Sequence, residues 1–135
     1  MIFVVIDSNI YVSALVFGGT PALTVQLATA GAFQLVVSKT IQAEVEETLA
    51  RKFGWDAARL AQVAAELWSD ASYVTPTQPV KASRDPDDDH ILACAIEAHA
   101  QVILTGDGDL LSLHPYRDIS ILTPTHFLEA RLWQQ

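Results

Sequence analysis

The chain opens with Ile2-Phe3-Val4-Val5-Ile6, an unbroken β-branched and aromatic run stopped by a carboxylate at Asp7. A strand with no polar alternation has to be covered on both faces, which is the condition of a strand inside a parallel sheet. Parallel strands need crossover connections, and the remaining sequence supplies them. Asn9–Phe17 reads as a short helix broken by Gly18-Gly19. Thr20-Pro21 reads as the N-cap and first position of the next helix, which Gly31 closes. Leu35–Val37 is a second strand. Ser38 caps a helix running to about Lys52 and ended by Gly54.

Asp56 caps a further helix whose apolar stripe is Leu60, Ala61, Ala64, Leu67 and Trp68. Ser72–Val74 is a short strand, and Thr75–Arg84, with Pro76 and Pro79, is a loop. Pro86 opens a helix through about Ala100. Val102–Thr105 is a strand, Asp107–Leu113 a short helix and Ile119–Leu122 the last strand. Thr123-Pro124 then starts a C-terminal helix. The expectation is one α/β domain over residues 1–135, a three-layer α/β/α sandwich around a parallel sheet of four or five strands. In such sheets ligands sit beyond the carboxyl ends of the strands, so function is sought just after Ile6, Val37 and Thr105.

Half of the 135 residues are apolar, which excludes a disordered chain. Only 18% are charged, and that sparing surface suggests self-association as a homodimer. Sixteen acids against eight Lys and Arg give a formal charge of −8. Bulk positive charge is therefore not what would hold nucleic acid, although bound cations can offset clustered carboxylates. The single cysteine, Cys94, excludes an internal disulfide and fits a reducing compartment. No apolar run approaches the ~20 residues of a membrane span. Met1–Ile6 lacks the basic region of a signal peptide, so the expected location is the cytoplasm, with no membrane partner.

The acids fall where the ligand would. Asp7 follows the first strand directly, and Asp107 and Asp109 follow the strand ending at Thr105. The stretch Asp85–Asp109 holds seven acids and no Lys or Arg. Nearby carboxylates raise each other's pKa, so such a cluster needs water or metal. On a helical wheel after Pro86, the face formed by Ile91, Leu92, Ala95 and Ile96 has Asp88 at its centre. Asp89 falls at the edge and Asp87 well off it. An inward acid with few bases nearby needs a cation. Asp87 and Asp89 suit the competing role of acids complementing a helix N-terminus, and Asp85 is equally a cap before proline.

On the helix after Ser38, Ile41, Val45 and Leu49 set the inner face. Glu47 points away, while Glu44 and Glu46 flank that face symmetrically and the wheel does not choose between them. Asn9 could orient Asp7 or start a helix, and Thr105 could bond a ligand or fill a strand. Cys94 reads as packing. His90, His99, His114 and His126 show no ligand spacing and read as surface or core residues. The tryptophans read as core or interface. Gly106-Asp107-Gly108 is not a phosphate loop.

Four stretches, in order and on the expected elements, resemble the PIN-domain family, in particular its branch of VapC-like toxins from type II toxin–antitoxin systems. They are Val5-Ile6-Asp7-Ser8-Asn9, Ser38-Lys39-Thr40-Ile41-Gln42-Ala43-Glu44, Arg84-Asp85-Pro86-Asp87-Asp88-Asp89-His90-Ile91-Leu92-Ala93, and Leu104-Thr105-Gly106-Asp107-Gly108-Asp109-Leu110-Leu111. The resemblance spans essentially the whole chain. It implies that Asp7, Glu44, Asp88 and Asp107 match the family's acidic quartet, which selects Glu44 over Glu46. Asp109 matches a frequent fifth acid, and Asn9 and Thr105 match supporting positions beside Asp85.

The activity implied by the resemblance is Mg²⁺- or Mn²⁺-dependent cleavage of RNA. Oxygen-only ligands suit these ions and not Zn²⁺. Asp7 and Asp88 would ligate the principal ion, Asp107 would complete its shell with Asp109 nearby, and Glu44 would hold a second ion or orient the attacking water. Lys39, Arg51, Lys52, Lys81 and Arg84 are the candidates for holding RNA phosphates, with surface salt bridges as their competing role. An antitoxin protein is the implied partner. Two other readings compete. One is a partner-binding module whose acids hold a structural cation. The other is a phosphotransfer enzyme. The latter fits less well: the haloacid-dehalogenase pattern needs an Asp where Asn9 stands, and a receiver domain needs a late lysine, whereas the last lysine is Lys81.

Overall fold

In the computed structural model, which describes residues 1–134, five strands form one parallel sheet in the order β3-β2-β1-β4-β5. The strands are β1 (Phe3–Ile6), β2 (Gln34–Val37), β3 (Ser72–Tyr73), β4 (Val102–Leu104) and β5 (Ser120–Leu122). The helices are α1 (Ser8–Val16), α2 (Gly19–Thr29), α3 (Lys39–Phe53), α4 (Ala57–Leu67), α5 (Asp89–Ala98), α6 (Gly108–Leu111) and α7 (Pro124–Ala130). Val4, Val5 and Ile6 are all fully buried although successive side chains point to opposite faces. Helices therefore cover the sheet on both sides, and the architecture is a three-layer α/β/α sandwich. Each such aliphatic side chain contributes about 1.5–3 kcal/mol relative to exposure.

The chain winds outward from β1 in both directions. It runs through β2 to β3 on one side, then returns to place β4 against the other edge of β1. The β1/β4 boundary is thus the topological switch point, where the crossovers on either side diverge and leave a crevice above the carboxyl ends. Edge-to-face pairs, Tyr11 with Trp68 and Phe33 with Phe127, fill the core. Cys94 is fully buried among them, its thiol pushed up to about 12 by burial, so its role is packing.

The local signals at α3 hold in detail. Ser38 accepts the Ile41 amide, and Gly54 takes the left-handed conformation that ends the helix. Asp56 and Thr123 likewise accept the amides of Arg59 and His126. Four expectations need correction. Helix α2 starts at Gly19 behind Gly18, whose φ of 77° only glycine adopts freely, so Thr20 lies inside the helix and its side chain caps nothing. Ala61 is exposed, and Val63 takes its place in the half-buried stripe. The segment from Pro86 is first a 3₁₀ turn, Pro86–Asp88, and becomes α-helical only at Asp89, ending at Ala98. The helix after Asp107 stops at Leu111. Among the described residues no single helix is long and apolar enough to cross a membrane.

Candidate active site

The crevice is built from Asp7 outward. Its backbone carbonyl receives the amides of Ile10 and Tyr11, which starts α1, but its side chain takes no part in capping. Both carboxylate oxygens are left for other donors. The hydroxyl of Thr105, one residue past β4, donates to Oδ2 at 2.8 Å, and Ser8 Oγ lies 3.3 Å from Oδ1. Asp7 and Thr105 are both buried. The Thr105 hydroxyl also accepts the Asp107 amide at 3.0 Å, so one oxygen ties the end of β1 to the turn after β4. A buried carboxylate without such donors would carry a large desolvation penalty.

Asp107 caps α6, its Oδ2 accepting the Leu110 amide at 3.0 Å. Asp88, the last residue of the 3₁₀ turn, lies against it. Carboxylate oxygens of Asp88, Asp107 and Asp109 stand within 4.8 Å of one another, all three residues half-buried. Burial pushes the Asp88 carboxyl up to about 7, assisted by a shared hydrogen bond with Asp107 and by the charges of Asp107, Asp85 and Asp7. Three carboxylates with neither imidazole nor thiolate among them form a donor set for a hard divalent cation such as Mg²⁺ or Mn²⁺. The raised Asp88 carboxyl marks the charge that such a cation would compensate.

Helix α3 contributes Glu44. Its Oε1 lies 3.2 Å from Ser8 Oγ and 2.9 Å from His90 Nε2. The alternative, Glu46, accepts from Gln42 on its own helix, and Glu47 is exposed beside Arg51 at 3.9 Å. Asp7, Ser8, Asn9, Glu44, Asp88 and His90 line one cleft of about 230 Å³, with Arg51 at its edge. Asp88 borders both the cleft and the Asp107–Asp109 group. The structure thus brings the acids of four separate stretches to the switch point.

Of the remaining residues, Asn9, Glu47, Asp87 and Arg51 also line the cleft. Asn9 is exposed on the cleft wall, and the bonds that hold Asp7 come from Ser8 and Thr105. Asp85 accepts the Asp87 amide and starts the 3₁₀ turn, while Asp87 is exposed. Asp89 is the acid in the first turn of α5, as expected, and it has a second role. Its Oδ1 accepts the amides of Ala82 and Ser83 at 3.1 and 2.9 Å and clamps the preceding loop onto α5. Lys39, Lys52, Lys81 and Arg84 are exposed, and of the five basic candidates only Arg51 lines the cleft.

Two residues escaped the sequence reading. His90 is neither bare surface nor core filling but the partner of Glu44. Ser8 bridges Asp7 and Glu44. The only sequence signal was their adjacency to Asp7 and to the Asp87–Asp89 run.

A doubly wound sheet with carboxylates gathered over its switch point places the chain among α/β proteins whose site lies beyond the carboxyl ends of the strands. The chain belongs to the PIN-domain family, which it matches over residues 3–109. It is 29% identical over 139 aligned positions to the uncharacterized protein MJ1680 of Methanocaldococcus jannaschii, covering 93% of this chain and 89% of that protein. Its fold is similar to that of Mycobacterium tuberculosis VapC20, described as a toxin that cleaves the sarcin–ricin loop. The TM-score is 0.60 at 16% identity, over 87% of this chain and 98% of that one.

Proposed function

We propose that this chain is a divalent-metal-dependent endoribonuclease, the toxin of a toxin–antitoxin pair, acting in the cytoplasm as one PIN domain over residues 1–135. The observation that carries the reading is the meeting of Asp7, Glu44, Asp88, Asp107 and Asp109 around one crevice. Like charges gathered this closely are unfavourable unless a cation uses them. Family membership supports nuclease chemistry, and the fold shared with a toxin that cleaves the sarcin–ricin loop supports the substrate class.

Asp88, Asp107 and Asp109 would hold the ion, with Asp7 beside them. Mg²⁺ or Mn²⁺ bound there supplies a water of lowered pKa and neutralises charge on the phosphate. The chain's own residues do the rest. Thr105 and Ser8 fix Asp7. Glu44 turns one oxygen to the cleft and orients the attacking water. Arg51 at the cleft edge, and Arg84 between Ser83 and Asp85, hold phosphates on either side of the scissile bond. Ser83 Oγ stands 3.5 Å from Asp88 Oδ2, which supports placing Arg84 at the rim. Exposed apolar side chains, among them Phe17 edge-on to Phe53, support assembly with an antitoxin and as a homodimer.

The test is cleavage of single-stranded RNA with Mn²⁺, Mg²⁺ or EDTA. Activity is expected only with the metals, and Asp7→Asn, Asp88→Asn and Asp107→Asn should each nearly abolish it, whereas Asp87→Asn should not. Full activity in EDTA overturns the reading.

A further inference from the structure

Glu44 and His90 come from different helices, α3 and α5, and meet at 2.9 Å inside the cleft. The pair is half-buried: the His90 side chain is 24% exposed and the Glu44 side chain 40%. His90 sits in the first turn of α5, immediately before the buried Ile91 and Leu92, so its backbone is anchored by the core. Its Nδ1 is buried and has no partner among the described residues. A proton there would be an unsatisfied buried donor, so the hydrogen-bond network assigns the ring proton to Nε2, which faces Glu44.

Glu44 otherwise has reason to leave. It faces Asp7 and Asp88 across the same cleft, and a long flexible carboxylate beside two others turns to solvent unless donors hold it. His90 Nε2 stands 2.9 Å from Oε1, and the single Ser8 hydroxyl proton is shared between Oε1 and Asp7 Oδ1. Oε2 receives none among the described residues. One oxygen is therefore pinned and the other is presented to the cleft.

We infer that His90 is a positioning residue: through its Nε2–H it holds Glu44 Oε1 so that Oε2 stays aimed at the reacting phosphate and its water. This rests on the ribonuclease reading above, and His90 itself touches no substrate. Partners that orient a working carboxylate from behind typically matter by about 10–100-fold.

A double-mutant cycle tests it. His90→Ala should lower kcat about 10–100-fold, with KM within about twofold because RNA contacts are untouched. His90→Gln keeps an N–H donor and should recover most of that loss. In a Glu44→Gln background, His90→Ala should add nothing further, since its partner carboxylate is already gone. Equal losses from His90→Ala in both backgrounds overturn the inference. So does a His90→Gln variant as slow as His90→Ala while melting like wild type.

A second readout needs no activity. Long-range ¹H–¹⁵N spectra of the wild-type imidazoles should show His90 protonated at Nε2, with a resonance that moves on Glu44→Gln. If wild type cuts no RNA, the functional reading fails and this spectrum still decides His90. A resonance unmoved by Glu44→Gln overturns the inference.

Discussion

Carboxylate oxygens of Asp88 and Asp107 stand within 4.8 Å of each other. Burial disfavours ionisation, as do two like charges that close, and together they push the Asp88 carboxyl up to about 7. The two flank consecutive elements, Asp88 just before α5 and Asp107 just after β4.

The first prediction follows from the sign of that shift. The folded Asp88 carboxyl titrates at about 7 and the ordinary one at 3.8. Between these values the folded state binds more protons than the unfolded one. The stabilisation is complete below pH 3.8 and is lost as pH rises through about 7. Glu97, whose carboxylate is held below its ordinary range by Thr77, acts in the opposite direction at acid pH. Melting curves in EDTA from pH 4 to 9 should therefore show wild type losing stability toward pH 8 relative to Asp88→Asn. Parallel curves for the two proteins would contradict the pairing.

A cation that binds only the folded state adds about 2.7 kcal/mol at a hundredfold excess over its dissociation constant. Wild type should gain several degrees of Tm with Mn²⁺. Asp88→Asn and Asp109→Asn should gain much less, and Asp87→Asn should respond as wild type does. In EDTA, Asp88→Asn should be at least as stable as wild type at pH 8, against the usual result of altering an inward polar residue.

Thr105 supplies a donor to Asp7 and an acceptor to the Asp107 amide. Thr105→Val keeps the shape and removes both, leaving a buried carboxylate short of a bond. The expected loss is about 1–3 kcal/mol by chemical denaturation, with Thr105→Ser costing less. An unchanged denaturation midpoint for the valine variant would show that the hydroxyl holds nothing.

Asp89 bonds the Ala82 and Ser83 amides. Asp89→Ala should speed hydrogen exchange at those two amides while leaving exchange in β1 unchanged. If Arg84 holds phosphate, KM for RNA should rise together with the exchange rate. Unchanged exchange at both amides refutes the clamp.

Much of the frame was legible because it depends on local chemistry. An all-apolar run ending in Asp7 reads as a central strand, and Ser38 and Gly54 bracket α3 through bonds made within a few residues. What the sequence left open depends on distant neighbours. Glu44 and Glu46 are equivalent on a wheel, and only contacts from Ser8 and His90 separate them. The wheel likewise treats Pro86–Asp88 as α-helical, although the residues form a tighter turn capped by Asp85. It leaves Asp89 at the edge of the inner face with no partner, because the loop that folds back onto its carboxylate lies outside any helix. His90 looks unremarkable until α3 supplies its partner.

The placement of β4 beside β1 has a consequence for synthesis. Asp7 and Thr105 are bonded across 98 positions of sequence. As the chain leaves the ribosome, Asp7, Glu44 and Asp88 all emerge before the strand that orders them. Until Val102–Leu104 has docked along β1, the nascent polypeptide has acids but no arranged crevice. A chain stopped before that strand has neither Thr105 to hold Asp7 nor Asp107 to stand beside Asp88, so the crevice cannot assemble without it.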